Sequence, residues 1–362
     1  MITKVKKISK ETCNGKDYEE AADILRSGGL VAFPTETVYG LGGDGLLPSA
    51  AAKIYAAKGR PSDNPLIIHI AEFESLKLLT NEITEKARKL ADAFWPGPLT
   101  MIFQKSDKVP YGTTGGLDTV AVRMPNHKIA LELIRESGVL IAAPSANTSG
   151  RPSPTRAEHV IEDLDGKIDM IIDGGEVGIG IESTIVDLTS EMPVILRPGY
   201  ITREMLESVI GPVALDQAIL MKGVKEGLKP KAPGMKYKHY APKGDLTLYK
   251  GEEDAVVKAI NEASEEKRRQ NKKVGIIATE ETKEKYKADY IMCIGSRKDE
   301  ESIARHLYGI LREFDHLQVE YIYGECFSKN NLGQAIMNRL QKAAGYQIID
   351  VSSEERCDTD EI

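Results

Sequence analysis

The chain has 362 residues, which at roughly 150 residues per domain favours two domains over one. With 41% hydrophobic and 28% charged residues, its composition is that of a globular protein and excludes a mainly disordered chain. The 48 lysines and arginines against 55 aspartates and glutamates give a net charge of −7, which argues against general polyanion binding.

Residues 1–211 are predicted to form a domain with a mixed sheet and surrounding helices, because short apolar runs bounded by turn residues alternate with segments of helical periodicity. The predicted strands are 30–33, 65–70, 99–103, 119–123, 139–143, 170–172, 183–188 and 194–196. The predicted helices are 18–26, 49–58, 83–94, 128–136 and 202–210.

Residues 212–245 are predicted to be an interdomain linker. The stretch 228–244 carries three prolines, two glycines, five lysines and no acidic residue. Tyr237, His239 and Tyr240 are unusual in a plain spacer. Two interpretations therefore stay open: a simple tether, or a segment that also contacts a ligand and acts as a lid over the active site.

Residues 246–352 are predicted to form a small Rossmann-like domain with a parallel sheet, because strands and helices alternate there. Residues 353–362 are predicted to be a tail. The predicted strands are 246–249, 274–278, 290–294 and 321–323, and the predicted helices are 253–268, 301–313 and 332–344.

Several kinds of site and location are excluded or disfavoured. The N-terminus lacks the apolar segment of a signal peptide, and no apolar run approaches the roughly 20 residues of a membrane-spanning helix, so we expect a cytoplasmic protein without membrane contact. The four cysteines and six histidines lack zinc-site spacing, so we expect no metal site in the protein itself. There is no Walker A loop, nucleophile elbow or H-E-x-x-H motif.

The segment 40–45 matches G-x-G-x-x-G between a predicted strand and a predicted helix, which raises a dinucleotide-dependent oxidoreductase as one alternative. The match is weak. The segment that separates it from the strand is too long for a tight phosphate-binding turn, and Asp44 would place a carboxylate beside the phosphates.

Two polar loops follow predicted elements and have the chemistry of an anion site. Lys58 and Arg60 flank Gly59 at the end of a helix, and Ser145 and Asn147 follow an apolar strand. The cations suit a phosphate or carboxylate. The alternative is structural: Lys58 complements the helix dipole, and Ser145 and Asn147 shape a turn.

Three further side chains lie within predicted strands or at their ends. Arg123 alternates with Val122 and so is expected to point away from the main apolar face. Arg197 ends another strand, and such ends are where sites cluster in α/β sheets, although a rim arginine is more often solvated. His69 stands between isoleucines, which favours a buried core histidine.

Eight motifs in this order resemble those of the threonylcarbamoyl-AMP synthases, the long two-domain relatives of the YrdC-like family, and 232–242 resembles the linker of the long form. The motifs are Pro34-Thr35-Glu36-Thr37-Val38-Tyr39-Gly40-Leu41-Gly42, Lys58-Gly59-Arg60-Pro61, Asn64-Pro65-Leu66, Trp95-Pro96-Gly97-Pro98-Leu99-Thr100, Val122-Arg123-Met124-Pro125, Ala143-Pro144-Ser145-Ala146-Asn147, Glu182-Ser183-Thr184-Ile185 and Leu196-Arg197-Pro198-Gly199.

The resemblance implies that L-threonine, bicarbonate and ATP with Mg²⁺ give threonylcarbamoyl-AMP and pyrophosphate. A separate transferase complex then carries the threonylcarbamoyl group to the adenosine next to the anticodon of tRNA. The alternative that remains open is an RNA-binding, translation-associated module, which the lysines of the linker suggest. If the protein is a synthase, at most a weak contact with tRNA is expected.

The resemblance also implies roles for individual residues. The catalytic residues are expected to be Lys58, Arg60, Ser145 and Asn147. The threonine pocket is expected to contain Thr35, His69, Arg123, Ala143 and Ser183. The ATP site is expected to contain Lys58, Arg60, Asn64, Thr119, Ser145, Asn147, Ser153, Arg197 and Tyr237.

Overall fold

The computed structural model describes residues 2–9, 14–220, 239–328 and 331–352, and these form two sheets. The strands of the first sheet are β1 (Lys4–Lys7), β2 (Val31–Phe33), β3 (Gly40–Asp44), β4 (Ile67–His69), β5 (Leu99–Gln104), β6 (Thr119–Arg123), β7 (Ile141–Ala142), β8 (Met170–Asp173), β9 (Thr184–Asp187), β10 (Val194–Arg197) and β11 (Ala214–Leu215). The strands of the second sheet are β12 (Asp245–Lys250), β13 (Val274–Ala278), β14 (Tyr290–Cys293), β15 (Tyr321–Glu325) and β16 (Ile348–Asp350).

Helices flank both sheets. Those of the first part of the chain are α1 (Glu19–Arg26), α2 (Pro48–Lys58), α3 (Leu76–Leu79), α4 (Glu85–Phe94), α5 (Tyr111–Thr114), α6 (Lys128–Ser137), α7 (Ala157–Leu164), α8 (Arg203–Ile210) and α9 (Gln217–Leu220). Those of the second part are α10 (Glu253–Arg269), α11 (Glu300–His316) and α12 (Asn331–Ala343). Short 3₁₀ turns lie at Gly15–Asp17, Phe73–Ser75 and Lys283–Lys285.

The first sheet is mixed, as the sequence predicted. Its strand order is β1-β8-β2-β3-β7-β4-β6-β5-β9-β10-β11, with both parallel and antiparallel neighbours. Val120 and Val122 point into its main apolar core, whereas Ala121 belongs to a separate cluster on the other face. Arg123 therefore leaves the main core, which confirms the prediction from strand alternation.

Strand β3 is the largest departure from the sequence prediction, which treated its glycines as a loop. A Cβ on Gly42 would lie 2.7 Å from the Ile141 side chain and 2.8 Å from the Phe33 ring. The glycines thus allow neighbouring side chains to cross over the strand. With its glycines in a strand, this segment forms no phosphate-binding turn of the dinucleotide kind. Strands β1, β11 and β16 and helices α3, α5, α7 and α9 were also missed.

The second sheet is entirely parallel, with the order β14-β13-β15-β12-β16. Helix α10 buries Val256 and Ile260 on one face, and helices α11 and α12 bury Leu307 and Ile336 on the other. Covering helices on both faces are the rule for parallel sheets. The predicted fold class, a mixed sheet with helices plus a small parallel α/β domain, is confirmed.

The second domain packs directly against the loops of the first. Val38 and Ile181 belong to the same apolar cluster as Leu307 and Tyr308 of helix α11. At Gly180, which has a φ of 86°, a Cβ would lie 2.5 Å from the carbonyl oxygen of Ala304. The contact between the domains is therefore close enough to require glycine at this position.

The predicted boundaries at 211, 245 and 352 stay predictions. Strand β11 lies beyond 211 and pairs with β10 of the first sheet, and 221–238 and 353–362 lie outside the described residues. Within the part of the chain that is described, no helix is both long and apolar enough to cross a membrane.

Candidate active site

One pocket, bounded by the first sheet and by the chain that enters the second domain, gathers ten of the predicted site residues. These are Thr35, Lys58, Arg60, His69, Arg123, Ala143, Ser145, Asn147, Ser183 and Arg197.

Lys58 is the last residue of helix α2, which ends because Gly59 adopts the left-handed conformation with a φ of 62°. The Lys58 side chain is fully buried, and its Nζ donates to the carbonyl oxygens of Ser145 and Asn147. Burial, together with the nearby Arg60, lowers the pKa of Lys58 well below its usual value. The Lys58 side chain therefore joins the two predicted loops. Stabilisation of the helix dipole alone would not require these contacts.

Arg60 and Asn147 are oriented by short-range hydrogen bonds. Arg60 Nε and NH2 donate to the carbonyl oxygens of Asn64 and Pro65 at 3.3 and 3.2 Å. Ser145 Oγ donates to Asn147 Oδ1 at 2.6 Å. Burial lowers the pKa of Arg60 to about 10, so the guanidinium remains charged at neutral pH.

His69 and Arg123 also line the pocket. His69 Nδ1 lies 3.1 Å from the carbonyl oxygen of Ile67, and burial followed by the charge of Arg123 lowers the pKa of His69 to about 3. His69 is therefore a buried, neutral histidine, and it lines the pocket as well. Arg123 donates from NH1 to Thr37 Oγ1 at 2.9 Å and forms an ion pair from NH2 to Glu36 Oε1 at 2.7 Å.

Ser183 and Arg197 form a third group. Arg197 Nε and NH2 donate to the carbonyl oxygen and Oγ of Ser183 at 3.0 and 3.1 Å, and Ser183 Oγ lies 2.8 Å from Thr100 Oγ1. Both arginines that end strands, Arg123 and Arg197, are buried, which argues against the alternative of solvated arginines at the rim.

A buried carboxylate, Glu182, connects this pocket to the second domain. Its Oε1 accepts from Ser153 Oγ at 2.5 Å, Tyr308 Oη lies 2.9 and 3.0 Å from its two oxygens, and Arg339 Nε donates to Oε2 at 3.0 Å. Burial alone raises the pKa of Glu182, but Arg339, Arg197 and the Ser153 hydroxyl outweigh it and bring the pKa to about 2.

A second interdomain anchor holds the loop that follows Asn147. Arg312 of helix α11 is fully buried and donates to Asp163 Oδ2 at 2.9 Å and to the carbonyl oxygen of Pro152 at 2.7 Å. Asp163 Oδ2 also accepts from the Thr148 backbone N–H at 3.0 Å. The second domain thus fixes the loop from both of its ends.

The described end of the linker also lines the pocket. His239 and Tyr240 are among the lining residues, and the Ala241 N–H donates to the Gly150 carbonyl oxygen at 3.0 Å. Tyr240 packs on Tyr308 with ring centroids 5.3 Å apart. Tyr237, predicted to hold the nucleotide, lies outside the described residues.

Three residues that were predicted to bind the nucleotide do not line the pocket. Asn64 is buried behind Arg60, and its Oδ1 accepts no hydrogen bond from the described residues. Ser153 reaches the pocket only through Glu182. Thr119 pairs with Gln104 at the end of β6 opposite to Arg123.

Comparison with known proteins identifies the family. A family model described as "Telomere recombination" matches residues 23–199, and one described as "Threonylcarbamoyl-AMP synthase, C-terminal domain" matches 201–345. The threonylcarbamoyl-AMP synthase of Pyrococcus abyssi is 52% identical over 331 residues, covering 91% of this chain and 95% of the relative. The chain belongs to the threonylcarbamoyl-AMP synthase family. The Bacillus subtilis synthase is 50% identical over 337 residues, and the match covers 93% of this chain and 95% of the B. subtilis chain.

Solved structures agree with this membership in the synthase family. The crystal structure of P. abyssi Sua5 complexed with L-threonine has a TM-score of 0.91 and 50% identity, and the match covers 96% of this chain and 99% of that one. Escherichia coli YciO, with a TM-score of 0.50 and 23% identity, shares the fold over 54% of this chain and 95% of its own.

The residues of the synthase pocket offer little to a metal ion. Across 2–9, 14–220, 239–328 and 331–352, no group of three or more histidine, cysteine or acidic side chains is placed to hold one. Glu182 lines the pocket, but its oxygens are already occupied by protein donors. These side chains do not fit a protein-bound metal, so Mg²⁺ would enter the pocket as part of the ATP substrate.

The stability of this synthase is expected to fall steeply in mild acid. Burial, the largest cause for each, lowers the pKa of His69, His159 and His239 to about 3, whereas the unfolded chain protonates its histidines near pH 6.5. Between these values the unfolded state binds more protons, so stability is present above pH 6.5 and is lost as the pH falls. We expect the free energy of unfolding to drop by roughly 6 kcal/mol between pH 7 and pH 5, which is about 2 kcal/mol for each of the three histidines.

Denaturant titrations at several pH values measure this loss. His159 lies outside the pocket lining and is replaced first: the His159→Gln protein is expected to lose roughly a third of the pH dependence. A free energy of unfolding that stays constant from pH 7 to pH 5 would contradict the prediction.

Proposed function

We propose that the protein forms threonylcarbamoyl-AMP and pyrophosphate from L-threonine, bicarbonate and ATP. The observation that supports this most is the charge pattern of one pocket, in which Lys58, Arg60 and Arg197 adjoin a site formed by neutral His69 and cationic Arg123. A triphosphate and an amino-acid carboxylate both need such cations close together. The L-threonine complex of the P. abyssi relative supports the choice of amino acid.

The two ends of the pocket have different roles in this proposal. Arg123 and His69, with Thr35, Ala143 and Ser183, bind L-threonine. Lys58, Arg60, Ser145, Asn147 and Arg197 bind the phosphates, and Asn64, Thr119, Ser153 and Tyr237 hold the rest of the nucleotide. The Oδ1 of Asn64 accepts no hydrogen bond from the described residues, but Asn64 is buried behind Arg60, so its role would be to position Arg60 beside the nucleotide.

The reaction proceeds in two steps. The ammonium group of bound threonine first releases a proton to solvent. The resulting amine attacks the carbon of bicarbonate; water leaves and a carbamate remains. A carbamate oxygen then attacks the α-phosphorus of ATP, and pyrophosphate leaves. Lys58, Arg60 and Arg197 bring these anions together and stabilise the developing charge, so positioning and charge stabilisation carry the catalysis. Mg²⁺ bound to the ATP phosphates supplies further neutralisation.

The linker end supports a lid role. His239 and Tyr240 line the pocket, and Ala241 is tied to Gly150 beside it. A cover of this kind keeps a hydrolysable mixed anhydride away from water. We place the reaction in the cytoplasm, with the product consumed by a separate transferase complex that acts on tRNA, and with at most a weak tRNA contact by this chain. No observation favours the alternative of an RNA-binding module.

A pyrophosphate-release assay tests the proposal. Release is expected only when L-threonine, bicarbonate and ATP are all present, and omission of any one should reduce it to background. Release that continues without threonine or without bicarbonate would contradict the proposed reaction and indicate a different ATP-cleaving activity.

A further inference from the structure

The substrate pocket contains many cations but little that can receive the ammonium group of an amino acid. Glu182 is the one carboxylate among the described residues that line it, and its oxygens already accept from Ser153, Tyr308 and Arg339. His69 is neutral. A carboxylate with spare acceptor capacity would stabilise a substrate ammonium at this site more than hydroxyl or carbonyl oxygens alone, because a buried unpaired charge is strongly unfavourable.

Glu36 has that capacity. Its side chain is 12% exposed, and its Oε1 lies 2.7 Å from Arg123 NH2, but neither carboxylate oxygen accepts a well-formed hydrogen bond from the described residues. Nε and NH2 of Arg123 are likewise without a well-formed hydrogen bond in the described part of the chain. The pair is thus held by charge, and within the described residues Arg123 makes a well-formed side-chain hydrogen bond only from NH1, to Thr37 Oγ1.

Glu36 also has room to change position. It borders a second cavity between the two domains, together with Asn126, Ile179, Tyr200 and Glu301. The Glu36–Arg123 pair therefore separates this cavity from the substrate pocket, which Arg123 lines. The main chain of Glu36 is held in place, since its carbonyl oxygen accepts from the Ile179 N–H at 2.8 Å, so only the side chain would move.

We propose that Glu36 is a specificity-determining residue that binds the ammonium group of the amino-acid substrate. Without substrate it neutralises Arg123. When threonine binds, the substrate carboxylate takes the place of Glu36 on Arg123, and the Glu36 carboxylate pairs with the ammonium group beside it. This exchange rests on the proposed function, and it selects zwitterionic α-amino acids, because only these supply both partners.

Calorimetric binding of two ligands to wild-type and Glu36→Gln protein tests the exchange. The ligands are L-threonine and (R)-3-hydroxybutanoate, which keeps the carboxylate and hydroxyl of threonine but lacks the amine. We expect Glu36→Gln to weaken L-threonine about tenfold or more, since one charged pair is lost. The affinity for (R)-3-hydroxybutanoate, measured directly or by displacement, is expected to stay the same or to rise, because Arg123 loses its internal competitor.

The controls separate this role from a structural one. Glu301→Gln removes another carboxylate from the same cavity, one that pairs with Tyr200, and should leave threonine binding unchanged. Thermal unfolding and ATP binding report whether Glu36→Gln folds correctly. Equal threonine affinity in wild type and Glu36→Gln, or a parallel loss for both ligands, would overturn the inference. A wild-type protein that fails to bind L-threonine at all would instead overturn the proposed function.

Discussion

Replacing Lys58 with methionine is expected to reduce threonine- and bicarbonate-dependent pyrophosphate release by about 1,000-fold or more, with the fold retained. Methionine approximates the length of the lysine stem but carries no charge, and Lys58 Nζ is a donor to the carbonyl oxygens of both Ser145 and Asn147. The change therefore removes a cation from the phosphate end of the pocket and also releases the loop that bears Ser145 and Asn147.

Lys53 offers a matched control for Lys58. It lies on the same helix α2, and its Nζ donates to the Gly28 carbonyl oxygen at 2.7 Å, away from the pocket. Lys53→Met should keep the wild-type rate of pyrophosphate release, and circular dichroism should find both variants folded. Pyrophosphate release by Lys58→Met within tenfold of wild type would remove Lys58 from the catalytic machinery.

Replacing Arg339 with methionine is expected to weaken both the domain contact and the synthase activity. Arg339 is fully buried, and it donates to Glu182 Oε2 at 3.0 Å and to the carbonyl oxygen of Glu182 at 3.2 Å. Without it, Glu182 keeps a buried charge that has lost its ion-pair partner. Such a loss costs about 3–5 kcal/mol when the surroundings do not relax.

Denaturant unfolding and the KM for ATP measure the two effects of Arg339→Met. We expect a lower free energy of unfolding and a raised KM, because Glu182 binds Ser153, a predicted ATP residue. Adding Glu182→Gln removes the uncompensated charge and should restore part of the stability. Arg305→Met serves as the control, since Arg305 is an exposed interdomain residue that donates to the Gly178 carbonyl oxygen. If Arg339→Met and Arg305→Met behave alike, the Glu182 contact has no special role.

Local sequence signals predicted the elements and the main site loops well. Helix α2 ends at Lys58 because Gly59 takes the left-handed conformation, and strand alternation directs Arg123 out of the main core. Both signals depend on neighbours in the chain. The loops that carry Lys58, Arg60, Ser145 and Asn147 were found because each follows a predicted element, and the fold brings them to the same pocket.

The residues that sequence reasoning missed are those whose surroundings come from distant parts of the chain. Arg312 and Arg339 lie on helices and resemble solvent-facing arginines in a helical pattern, yet docking of the second domain buries both completely. Strand β3 was hidden because its glycines carry no apolar alternation. Glu36 appeared only as one letter of a motif, and its pairing with Arg123 joins two segments that are remote in sequence.

The position of Val38 links the proposed amino-acid site to the contact between the domains. Its neighbour Thr37 accepts a hydrogen bond from Arg123, while the Val38 side chain belongs to the apolar cluster of helix α11. One short loop therefore takes part in two equilibria, ligand binding and domain docking. Thermodynamic linkage is reciprocal, so any preference of the substrate for the docked state must appear as an equal increase in docking strength when substrate is bound. Where the substrate has such a preference, the second domain is an effector of the first, joined to it covalently.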